Sequence, residues 1–257
     1  MTSLSDCVAY LDDVLATAET PDYDQALNGL QLANTGTVTR VAVAVDFSHE
    51  SVQQAVLAGA DLLLVHHGMF WGAPQPIIGS RYERLRLAIA SNLAVYASHL
   101  PLDLHPRFGN NVRLANRLEL EPRGGFGQFQ SIEIGVSGTA DLPTDQLLAR
   151  VLAFAQPLGT HVVSTPHASQ RRTRHWAIVT GAGASSSTLA EAAERGIDTL
   201  IVGEGPHHTA VEARERGIVI IYAGHYATET LGIQALAEEL QRVFALPWSL
   251  LHLPTGL

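Results

Sequence analysis

Two places in the sequence gather side chains that can hold a metal ion or move a proton. His66, His67, His99 and Asp103 lie in the first half, and His225 and Glu229 lie in the second. In each half a histidine is followed four residues later by a carboxylate: His99 by Asp103, and His225 by Glu229. Imidazole and carboxylate together suit Zn, Fe, Mn, Co or Ni, and no thiolate accompanies them. A catalytic metal typically takes about three protein ligands plus water, so five or six such groups exceed the needs of one ion. They suit two ions about 3.5–4 Å apart that share a bridging carboxylate. Each piece alone has an ordinary explanation. A His-His pair can cap a sheet with hydrogen bonds, and Thr228 and Glu229 can be first-turn residues of a helix. The duplication favours the metal.

These groups need strand ends to hold them. Val41–Val45, Asp61–Val65 and Ala94–Ala97 read as buried strands. They are separated by helical patterns over 51–58 and 81–92. The second strand runs into His66-His67-Gly68 and the third into Ser98-His99. Adjacent histidines on an extended strand point to opposite faces, and Gly68 is expected to let the chain turn so that both converge. Strands alternating with helices imply a largely parallel sheet, and ligand sites form outside the carboxyl ends of such strands. A helix over 3–18 with Ser3 or Ser5 as cap precedes this set.

The pattern then recurs. Strands over 177–180 and 199–202 flank a helix over 188–194. Gly59-Ala-Asp61-Leu-Leu-Leu-Val65-His66-His67 parallels Gly196-Ile-Asp198-Thr-Leu-Ile-Val202-Gly203-Glu204. Tyr96-Ala97-Ser98-His99 with Asp103 parallels Tyr222-Ala223-Gly224-His225 with Glu229. Such self-similarity predicts an α/β chain of two related lobes with mostly parallel sheets and the metal site between them. The expected boundaries are 1–122 for the first lobe, 129–229 for the second, and 230–257 for a C-terminal helix (232–244) and tail packing back on the first lobe. The glycine-rich stretch 121–128 is read as the lobe boundary, followed by a strand over 131–136 and a helix over 144–154.

Other features carry less. Gly181–Ser187 can cradle a phosphate at a helix start, but it lacks a P-loop lysine, and a tight strand-to-helix turn explains it. Met69-Phe70-Trp71 can stack on a base or line a mouth; a core or subunit contact is the plainer reading. Gly205-Pro-His207-His208 sits at the same rim as His66 and His67 by the repeat. No G-x-S-x-G elbow is present, which argues against a Ser-His-Asp hydrolase.

Composition narrows the class. The 257 residues are 46% hydrophobic, ample for a packed core, and the net charge of −9 argues against general nucleic-acid binding. A single cysteine, Cys7, allows no internal disulfide. No run of about 18 apolar residues suggests a membrane span. The first fifteen residues lack the basic start of a signal peptide, so a cytoplasmic protein is expected.

At these residues the sequence resembles the NIF-three-like family, whose members carry the label GTP cyclohydrolase 1 type 2 homologue. The resemblance rests on Asn28-Gly-Leu-Gln31, His66–Gly72, Ser98–Pro106 with Gly109-Asn-Asn111, Gly203–His208 and Gly224–Glu229, in order along nearly the whole chain. It implies the compact form of the family, without an inserted domain. It also implies two divalent metal ions per chain: His67 and Asp103 on one, His66 and His225 on the other, and Glu229 as the bridge. His99 falls beside the site, and His99 or His208 would shuttle protons. A ring-shaped homohexamer and a small, nucleotide-like substrate are implied as well. Pro206 departs from the family, standing where lysine or another polar residue is common. The expected function is a metal-dependent hydrolase. The alternative is a metal-binding chaperone or interaction protein with little turnover.

Overall fold

A computed structural model describes residues 2–72 and 75–257. The chain folds as two compact units, one of residues 1–105 and 232–253 and the other of 106–231 and 254–257.

The first unit opens with β1 (Thr2–Ser3) and α1 (Leu4–Leu15). The Ser3 hydroxyl caps α1 by accepting from the Asp6 N–H. Then come β2 (Gly29–Leu32), β3 (Thr37–Val38), β4 (Val41–Asp46), α2 (His49–Leu57), β5 (Leu62–His67), α3 (Ser80–Ala90), β6 (Ala94–Ala97) and the short α4 (Leu100–Asp103). Ser48 and Ser51 form a reciprocal capping box on α2. Val41 through Val45 and Leu62 through Val65 are all buried, as a parallel strand covered on both faces requires. β4, β5 and β6 are parallel neighbours, with Asp46 opposite His67 and Val65 opposite Ala97. β2 adds an antiparallel edge beside β6.

The second unit contains α5 (Asn110–Arg117), β7 (Pro122–Phe129), β8 (Ile132–Pro143), α6 (Thr144–Ala155), a 3-10 turn over Gln156–Leu158, β9 (Val163–Ser164), β10 (Arg172–Val179), α7 (Ser186–Glu194), β11 (Thr199–Val202), α8 (His207–Glu215) and β12 (Val219–Tyr222). α9 (His225–Phe244) starts in this unit and ends in the first, followed there by β13 (Trp248–Leu250), which pairs with β4. The sheet order is β7-β8-β10-β11-β12-β9, with β10, β11 and β12 parallel. Alternation on β10 serves two cores. Trp176 and Ile178 pack with Leu147, Val151 and Ile221 on one face, while Ala177 and Val179 pack with Leu189, Leu200 and Ile220 on the other.

The sequence repeat is thus a repeat of topology: β4-α2-β5-α3-β6 corresponds to β10-α7-β11-α8-β12. In both copies a helix led by histidine follows the third strand. His99 is the residue before α4, and His225 is the first residue of α9.

Two expectations fail locally. The glycine-rich 121–128, read as aperiodic chain at a lobe boundary, is mostly strand: Pro122–Phe129 is β7, paired antiparallel with a β8 that runs well beyond the expected strand. Two glycines of this strand pair reflect close approach. A Cβ at Gly125 would overlap the Glu133 side chain, and one at Gly138 on β8 would strike the buried Trp176 ring. The C-terminal helix also begins seven residues earlier than its apolar period suggests, so Glu229 lies within it.

Candidate metal centre

In the first unit, β5 and the β6–α4 corner bring four of the expected groups together. His66 is fully buried, and its Nδ1 donates to the Ser98 carbonyl at 2.8 Å. A carbonyl only accepts, so the hydrogen sits on Nδ1, and in the neutral ring Nε2 carries the lone pair. His67 Nδ1 bonds Asp46 Oδ1 at 2.8 Å, the acid directly opposite it across β4 and β5. His99 Nδ1 bonds Asp22 Oδ1 at 2.8 Å. One ligand nitrogen from each of His66, His67 and His99 can be chosen so that all lie within 4.8 Å of one another. Asp103 Oδ2 stands 3.6 Å from His66 Nε2. The three imidazoles form a tight group, with ring centroids 4.8 Å apart for His66 and His67 and 5.0 Å for His66 and His99.

Gly68 serves this arrangement in an unexpected way. Its φ is not in the left-handed region, so backbone freedom at a turn is not its role. A Cβ there would overlap the Gln31 amide and the Ala97 methyl. Gln31 in turn accepts the Met69 N–H at 2.6 Å, fixing the chain that leaves β5.

In the second unit, α9 sets His225 and Glu229 one turn apart on the same face, with Nε2 and Oε2 3.1 Å apart. His225 Nδ1 bonds Glu204 Oε1 at 2.7 Å. Burial disfavours the His225 cation, but Glu229 and Glu204 outweigh it and push its pKa up to about 9. Glu229 is buried. Gly181, at φ +63°, is the residue that leaves it room, since a Cβ there would overlap Glu229 Oε1. The segment 181–187 is a strand-to-helix turn: the Ser185 hydroxyl accepts the Thr188 N–H at 3.1 Å and caps α7. His208 is exposed on the first turn of α8.

Sequence reasoning passed over the anchoring acids. Asp22 is the most connected. Oδ1 accepts from His99 and from the Tyr23 N–H, and Oδ2 accepts from Asn28 Nδ2 at 2.8 Å and from the Leu100 N–H at 3.1 Å. Burial alone would raise its pKa, but these donors, His99 foremost, hold it below the usual carboxylate range. Glu204 was in view through the repeat, where it occupies the position of His67. Asp46 closes the apolar run of β4. Trp71, one of three residues read as a mouth or a contact, stands edge-on to His99 at 4.8 Å and to His67 at 5.4 Å.

The donor set fits divalent metals. All four histidines have Nδ1 held by an oxygen, which fixes the ring and directs Nε2 away from the anchor. That is the pattern in which carboxylate or carbonyl groups orient metal-binding imidazoles.

An α/β protein with histidine and carboxylate groups able to hold a metal ion at its strand ends is therefore the class that fold and site define. Within that class, the chain belongs to the Duf34/NIF3 (NGG1p interacting factor 3) family, whose model matches residues 2–253. A Deinococcus radiodurans protein called GTP cyclohydrolase 1 type 2 homolog is 41% identical over 250 residues, covering 97% of this chain and 93% of its own. A Halobacterium salinarum protein of the same name is 40% identical, covering 92% and 93%. Among solved structures, a protein described as ybgI, of unknown function, matches with a TM-score of 0.89 at 32% identity, and a Thermus thermophilus protein with 0.86 at 34%. Both alignments cover 100% of each chain. Reduced HcgD from Methanocaldococcus jannaschii, at 21% identity and a TM-score of 0.82 over 97% of this chain and 98% of its own, shares the fold. Among the described residues no helix is long and apolar enough to cross a membrane.

Proposed function

We propose that this protein is a metal-dependent hydrolase of a small, nucleotide-like substrate, working through a dinuclear centre held by His66, His67, Asp103, His225 and Glu229. The observation that carries the reading is the anchoring of Nδ1 on all three histidines of that set, and on His99 beside them. Such anchoring is costly to assemble for rings that only pack, and it is what a ligand needs. By resemblance to the family, His67 and Asp103 would hold one ion, His66 and His225 the other, and Glu229 would be shared between them.

The metals, when bound, supply Lewis-acid activation of water and of the attacked centre. The chain's own residues do the rest. Asp46, Glu204 and the Ser98 carbonyl hold the ligand imidazoles in one tautomer. Asp22 holds His99 beside them, where its Nε2 can take or return a proton. His208 is the second candidate for proton transfer. Trp71 stands edge-on against His67 and His99 at the side of the site. The all-nitrogen and oxygen donor set admits Zn, Fe, Mn, Co or Ni, so availability selects the metal. The name carried by the relatives motivates the nucleotide-like substrate. A cytoplasmic homohexamer is part of the same reading, checked by light scattering of the native protein.

The test is turnover of a panel of nucleotides and phosphoesters by metal-free and metal-loaded protein. Metal-dependent hydrolysis that is lost in Glu229→Ala supports the proposal. Equally slow turnover with and without metal would overturn it in favour of a metal-binding protein without catalysis.

A further inference from the structure

A groove of about 510 Å³ opens in the first unit beside Trp71, whose ring also stands against His99. Phe47, Phe70, Trp71 and Ile77 line it, with Arg81 and Arg84 from α3. The volume is that of a pocket for a small organic molecule, about 300–1,000 Å³. Phe70 and Trp71 are 49% and 43% exposed, so two aromatic rings stand uncovered in a concave wall.

The arginines have little local reason to be there. They are three residues apart on one helix, hence on one face. Neither makes an ion pair with a carboxylate among the described residues. Arg84 Nη1 donates to the Phe47 carbonyl at 3.3 Å, and its guanidinium stands 5.1 Å from the Phe47 ring centroid. Burial, and then the charge of Arg81, push the Arg84 pKa down, so the two cations disfavour one another. Asp24 is the acid among the lining residues. Guanidinium pairs recognise phosphate and carboxylate by matched forks of hydrogen bonds, and exposed indole and phenyl faces recognise planar rings.

We propose that this groove binds a planar aromatic ligand bearing a phosphate or carboxylate, with the ring against Phe70 and Trp71 and the anion on Arg81 and Arg84. The inference gives the hydrolase reading a substrate class, and rests on that reading only for the chemistry after binding. Trp71 would then contact both the ligand and the candidate metal-binding histidines.

Calorimetric titration of the full-length, metal-stripped protein with 1-naphthyl phosphate, 1-naphthoate and 1-naphthol tests it. At least one anion should bind saturably at one per chain, tenfold or more tighter than the neutral naphthol. Whichever anion binds tighter identifies the headgroup. Arg81→Gln and Arg84→Gln should each weaken that anion at least fivefold and leave naphthol unchanged. Arg84→Gln also loses the bond to Phe47, so Arg81→Gln, which breaks no such bond, decides the matter if the former fails to fold. Anions that bind no tighter than naphthol, or that keep wild-type affinity in Arg81→Gln, would overturn the proposal. Because the metal is absent throughout, a missing dinuclear centre leaves the result untouched, and the two readings fail separately.

Discussion

Asp22 accepts the Nδ1–H of His99 at 2.8 Å across 77 positions of sequence, and its second oxygen accepts from Asn28 and from the Leu100 N–H. One buried carboxylate thereby fixes both the loop before β2 and the corner that carries His99 and Asp103. Replacing it with alanine strands four donors, three of them in part-buried bonds. Asp22→Ala should cost about 2–4 kcal/mol of stability, read by urea denaturation of the metal-free protein. A loss below about 0.5 kcal/mol would mean that water replaces the carboxylate and the corner does not depend on it.

Gly181 makes room for Glu229. Gly181→Ala should lower metal affinity at least tenfold by displacing that carboxylate, in addition to roughly 1–2 kcal/mol of backbone strain from its positive φ. Gly196→Ala is the control. It sits at φ +67° with nothing within 4 Å of the added methyl, so it should show the strain without the metal defect. Equal metal affinity in the two variants would separate Glu229 from metal binding.

Cys7 is fully buried in α1, and burial, aided by Asp6 and Asp61, pushes its thiol pKa up to about 11. The folded chain should resist a thiol reagent at about pH 8 and react only as fast as it unfolds. The linkage has a definite sign. The unfolded thiol ionises near pH 9 while the folded one stays protonated, so stability should fall as pH rises from about 9 toward 11. The slope should flatten in Cys7→Ala. Rapid labelling of native protein under the same mildly alkaline conditions would show that α1 opens locally.

Much of this candidate site was readable in the sequence because its residue pattern is duplicated. His99 with Asp103 and His225 with Glu229 recur at equivalent strand ends, and the apolar runs at Val41–Val45, Leu62–Val65 and Leu200–Val202 place those ends without ambiguity. The anchoring acids were not readable in the same way. Asp22 reaches His99 only through the fold of the loop around Asn28. Asp46 meets His67 only through the parallel register of β4 and β5. A single acid at the end of a strand carries no spacing signal. Glu204 is the exception: the repeat sets it where His67 stands, exchanging a candidate ligand for the group that orients one. The β7–β8 hairpin was hidden because its glycines mark close contacts with Glu133 and Trp176, which look like a linker when the partners are unknown.

The two candidate acids should behave differently. Glu229→Gln removes negative charge shared by both ions in the proposed centre and should weaken both. Asp103→Asn should weaken mainly one, leaving about one tightly held ion per chain. Stepwise competition with a chelating dye distinguishes the cases. Equal loss of both ions in the two variants would contradict the bridging role of Glu229.

The most direct measurement is the metal content of tag-free protein purified without chelators, counted per chain by elemental mass spectrometry beside Glu229→Ala. The account predicts about two ions per chain in the natural sequence and loss of both in the variant. No bound metal, even after reconstitution with each candidate ion, would contradict it and leave the anchored histidines as structural groups.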